Sequence, residues 1–79
     1  MKLFGIQDVK ADAMMNVFMM STRAQAVRGF SDLVHDEKTD VFRHPEDYRL
    51  MYLGDMDQST GVITALASPE SLGFGTEWK

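Results

Sequence analysis

The stretch LGDMDQSTGVI, Leu53 to Ile63, decides the fold. Asp55, Asp57 and Ser59 stand at every second position, as in the opening of an EF-hand calcium loop, and that motif would put a helix on either side. Such a loop needs glycine at its sixth position and a bidentate glutamate at its twelfth. Counted from Asp55 these positions are Thr60 and Leu66, so both requirements fail. A hairpin turn fits instead. Strand-like runs flank a short polar segment ending at Gly61, a residue free to take positive φ, and Asp57 is placed to accept hydrogen bonds from turn amides. Strands, not helices, are expected on both sides of this turn.

Working upstream, YRLMYLGDMD (48–57) puts Tyr48, Leu50 and Tyr52 on one face and Met51 and Leu53 on the other. Apolar side chains on both faces predict a strand inside a sheet or at an interface. Downstream, GVITALA (61–67) reads as the last strand, and SPESLGFGTEWK (68–79) as a glycine-punctuated tail beyond an ordered core of residues 2–67. At the start of the chain, KLFGIQDV (2–9) reads as a first strand, with Phe4 and Ile6 on one face and Leu3, Gly5 and Gln7 on the other.

MMNVFMM (14–20) holds four of the chain's seven methionines. One reading is a half-buried strand whose flexible side chains fill gaps against the helix or a partner subunit. A sharper reading is an adaptable contact surface for another protein, carried by Met14, Met15, Phe18, Met19 and Met20. The helix follows. Thr22 and Gln25 make a capping box, and Ala26, Val27, Phe30, Leu33 and Val34 form an apolar stripe at helical spacing. Gly29 lowers helix propensity midway and would let the helix lie close to a sheet. Pro45 biases His44 towards extended geometry and ends any helix there, with Glu46 and Asp47 opening a single turn after it. The expected architecture is α+β: one domain spanning 1–79, with a small antiparallel β-β-α-β-β sheet and one helix packed on a face.

The 79 residues include no cysteine, which excludes disulfides, thiolate metal sites and cysteine nucleophiles. A chain this short without such staples is expected to oligomerise, as a homodimer or larger. Asp8, Lys10 and Asp12 interrupt any apolar leader, and no apolar run is long enough to span a bilayer. The expectation is a protein that stays in the compartment where it is made, with no membrane contact.

Net charge is −4, distributed unevenly: residues 1–31 are basic on balance and residues 32–57 acidic. Binding of single-stranded DNA would rest on Lys2, Lys10, Arg23, Arg28 and Arg49, with Arg43 in reserve, for phosphate. Tyr48 and Tyr52, with Phe4 and Phe18, would supply stacking faces. A pI near 4.9 opposes that reading. His44, Glu46 and Asp47, with His35, Asp36 and Glu37, can be drawn as a metal cluster, but their spacing matches no ligand signature and a proline-anchored turn explains them. No serine sits in a nucleophile-elbow context and no phosphate-cradling glycine loop occurs, so neither an enzyme nor a cofactor is expected.

Three pieces stand in a fixed order: MKLFGIQDVKA, TRAQAVRGFSDLV and HPEDYRLMYLGDMDQSTG. Together, over residues 2–66, they resemble the small nonstructural protein of the gokushoviruses, single-stranded DNA phages of the microvirus group. The matching positions are Asp8 and Lys10 after the first strand, Thr22, Ala26, Arg28 and Phe30 in the helix, and His44 to Tyr48 ahead of the third strand. Gly54, Asp57, Thr60 and Gly61 complete the turn. The chain departs from the family at MMNVFMM, where relatives are more often proline- and aromatic-rich. The resemblance implies a phage-encoded, non-capsid protein of the host bacterial cytoplasm. It also implies a role in genome replication or single-stranded DNA synthesis, with DNA binding in some descriptions. It carries over no catalytic residues. The alternative reading of the residues is an oligomeric interaction module whose methionine-rich segment and acidic middle engage a phage or host protein without contacting DNA.

Overall fold

Alternation in the first strand sets the layers. Phe4 and Ile6 point to one side of the sheet and are almost fully buried, while Leu3 and Gln7 point to the other. The computed structural model describes residues 1–79. Strands β1 (Lys2–Asp8) and β2 (Ala13–Met20) lead into helix α1 (Arg23–His35). A short helix α2 (Asp40–Arg43) and a 3-10 turn at Pro45–Asp47 bring the chain to β3 (Tyr48–Met56). After the Gly61 turn, β4 (Ile63–Phe74) ends in a second 3-10 turn, Gly75–Glu77. All pairings are antiparallel and the strand order is β2-β1-β3-β4. This is the α+β arrangement with one main helix that the sequence predicts.

The core lies between the sheet and α1. Phe4, Ile6, Tyr48, Leu50 and Tyr52 come from the sheet, Ala26, Phe30 and Val34 from α1, and Val41 from α2. The Phe4 ring lies 5.8 Å from Phe18 and 5.4 Å from Tyr52, an aromatic row across three strands. The helix starts where expected: Thr22 Oγ1 accepts from the Gln25 amide, and Gln25 Oε1 accepts from the Thr22 amide. The deciding turn also forms as read. Asp57 Oδ1 accepts from the Ser59 amide at 2.9 Å and the Ser59 hydroxyl at 2.7 Å, and Gly61 takes a φ of 78°. The Ser59 hydroxyl, aided by its amide, holds the Asp57 carboxyl below the usual carboxylate range.

Three local readings change. The segment 68–79 is not a tail: β4 continues through Pro69 to Phe74, pairing Glu70 with Tyr52 and Phe74 with Arg49. Between the Gly54–Ala65 and Tyr52–Glu70 pairs, β4 places four residues opposite the single Leu53 of β3. That bulge carries Pro69, which lacks an amide proton, past the ladder without breaking it. Trp78 then docks edge-on against Phe30, ring centroids 5.6 Å apart. Secondly, part of the polar connection is helical. Thr39 caps α2 by accepting from the Phe42 amide at 3.1 Å, and donates to the Leu33 carbonyl at the end of α1.

Thirdly, Gly29 does not serve close packing. A Cβ there would meet only the terminal methyl of Met20, at 4.0 Å. Gly29→Ala is therefore expected to stabilise the domain by about 0.8–1 kcal/mol, the helix-propensity difference, as a rise in urea midpoint at unchanged slope.

Candidate interaction surface

Helix α1 covers one side of the sheet, and no element covers the other. The open side carries Leu3, Met14, Val17, Met19, Met51 and Leu53, with Arg49 and Phe74 at its far end. Met51 is buried there, enclosed by its neighbours. At the β2 margin the apolar groups face solvent: Val17 is 61% exposed, Met19 42% and Met14 38%. Exposed large apolar side chains gathered on one strand, not scattered singly, are the feature that asks for an explanation.

The methionine strand divides between two faces. Phe18 and Met20 turn towards α1 and pack on the core, and Met15 lies opposite Ile6 on that side. Met14 and Met19 turn to the open side, opposite Gln7 and Leu3. An irregularity at Asn16, whose φ is 46°, inserts an extra residue into β2. Two adjoining hollows open between β2 and α1 beside Asn16, about 270 and 230 Å³, sharing Ile6, Asn16 and Leu33 in their walls. The sequence reading found the methionines but not the gap or the part played by Val17. The period-two alternation around Val17 was the available signal.

The residues proposed for nucleic acid do not converge. Tyr48 and Tyr52 lie in the core at 7% and 6% exposure, which corrects their reading as stacking platforms. Their hydroxyls titrate above the usual tyrosine range, Tyr48 mainly through burial and Tyr52 mainly through its 2.6 Å hydrogen bond to Asp55. Arg23 lies over the Tyr52 ring and donates both terminal nitrogens to Glu70, at 3.0 Å each, tying α1 to β4. Lys2 stands over the other part of that network, 3.8 Å from Asp55. Arg49 donates to Gln7 at 2.6 Å and lies over Phe74, and Arg43 pairs with Asp40. Lys10 and Arg28 have no carboxylate partner, but Lys10 lies in the turn between β1 and β2 and Arg28 on α1. Cations committed to protein partners on several faces do not make a phosphate track.

His44, Glu46 and Asp47 do come together, their ligand atoms lying within 4.8 Å of one another. The turn started by Pro45 accounts for this, since the three residues fall within four positions, and His44 and Glu46 are exposed. His35 is spent elsewhere: its Nδ1 lies 2.8 Å from the Ser31 carbonyl.

These features define a small α+β domain with a helix on one side of its sheet and solvent-facing apolar residues on the other. The chain belongs to the Phage ORF5 protein family, whose model matches residues 1–78. It is thus a member of a bacteriophage protein family. No curated protein and no solved structure matches it. No helix is long and apolar enough to cross a membrane.

Proposed function

We propose that the chain is a non-enzymatic accessory protein of phage genome replication that works by protein contact through the β2 margin of its open sheet face. Family membership supports the phage assignment. The resemblance over residues 2–66 supports a gokushovirus-type phage, the replication role and the host cytoplasm as the place of action. One observation carries the contact: Met14, Val17 and Met19 are exposed together on the face of β2 that no other element covers. Direct binding of single-stranded DNA is the weaker reading. It would require Tyr48 and Tyr52 to leave the core and Arg23 and Lys2 to leave their carboxylates.

Capture from infected cells, with and without nuclease, separates the two. The expected result is a partner retained after nuclease by the native chain and lost by Val17→Glu/Met19→Glu. Fluorescence anisotropy with a labelled single-stranded oligonucleotide is expected to show no binding even at low salt. Tight binding that weakens steeply with salt would transfer the function to DNA.

A further inference from the structure

The sheet has two edges, and they are built differently. On β4 the outer edge is blunted by Pro69, by the bulge around it, and by Glu70, whose side chain is held by Arg23. These are devices that natural sheets use to prevent edge pairing. On β2 the one such device is the extra residue at Asn16. Ala13–Met20 runs for eight residues with no charge and no proline, and its side chains are apolar on both faces apart from Asn16. An apolar edge of this length with neither charge nor proline is an aggregation hazard unless something pairs with it.

We propose that the partner is a second copy of this chain, its β2 pairing antiparallel with β2 about a twofold axis to make one eight-stranded sheet. This rests on the reading of β2 as a contact strand and names what it contacts. Antiparallel edge pairing is self-complementary, so one strand serves both subunits. The net charge of −4 does not oppose it, because no acidic residue lies on β2. The assembly also closes. After two β2 strands pair, the free edges are both β4, and both are guarded, so growth stops at two.

The gap between β2 and α1 suits the same partner. Its hollows lie beside the edge, lined by Phe18, Met20, Phe30 and Leu33, where long flexible methionine side chains from an incoming strand can enter. An eight-residue strand is about 27 Å long, and a contact along it reaching both faces covers roughly 500 Å² per copy. That is the size of a reversible interface, so the dimer is expected to dissociate on dilution.

Sedimentation across a micromolar concentration series tests this. The native chain should rise from 8.9 kDa towards twice that mass. Val17→Lys should stay monomeric with unchanged circular dichroism. Ile63→Lys is the control: it is as exposed as Val17, at 59%, but lies at the start of β4, and it should dimerise normally. Because the chain has no cysteine, Val17→Cys should yield a covalent dimer on mild oxidation and Ile63→Cys should not. A native chain that stays at 8.9 kDa, grows without limit, or dimerises equally as Val17→Lys overturns the proposal. A chain that stays monomeric yet retains a different protein in the capture experiment refutes the dimer and leaves the protein-contact reading standing.

Discussion

Phe30→Ala is expected to destabilise the domain by about 3–5 kcal/mol, the range for truncating a buried aromatic. Phe30 is 1% exposed and sits centrally in a core of only nine residues. Its ring supports the edge of Trp78 and also walls the gap beside β2. Losing it removes buried area, detaches the C-terminal residues from α1, and widens a hollow that no neighbouring backbone can close. A domain of this size has a total stability not far above that cost. The variant is therefore expected to be largely unfolded at room temperature. Trp78, the single tryptophan, gives the readout: its emission should move to the solvent-exposed position, and the cooperative urea transition should weaken or vanish.

Gly54→Ala is the second large effect, and its cause is backbone, not core. A Cβ at Gly54 would stand 2.4 Å from the Thr64 carbonyl oxygen and 2.9 Å from Ala65 Cα, and φ there is +154°. Both obstacles are main chain of the paired strand, so β3 and β4 would have to separate beside the turn. The expected cost is on the order of 3 kcal/mol. That corresponds to a fall of roughly 12–24 °C in Tm for a domain of this length. Gly5→Ala is the informative contrast. Its Cβ would meet the Met14 sulfur at 2.7 Å, the far end of a flexible, exposed side chain that can swing aside. Thermal melts of the two variants side by side should show Gly54→Ala severely destabilised and Gly5→Ala close to native.

Much of the fold was legible because local signals and burial agree. Thr22 and Gln25 mark the helix start, Gly61 and Asp57 mark the turn, and alternation in KLFGI and YRLMYL assigns the faces correctly. The end of the chain was not legible. Pro69 and two glycines between 68 and 79 read as a tail, whereas strand pairing with β3 and the docking of Trp78 on Phe30 overrode local propensity. The candidate surface was half visible. MMNVFMM stood out by composition, but composition does not say which methionines reach solvent. That depends on the irregularity at Asn16 and on where α1 lies, both tertiary facts. The tyrosines show the reverse error: aromatic residues beside basic ones suggested stacking, while their alternation with Leu50 had already placed them on the buried face.

Amide hydrogen exchange along β2, followed as protein concentration rises, is the most direct test of β2 as a contact strand. Amides within Ala13–Met20 should become slower to exchange with concentration, while those of Ala67–Ser71 on the guarded edge stay unchanged. β2 amides that exchange equally fast at every concentration would contradict the pairing.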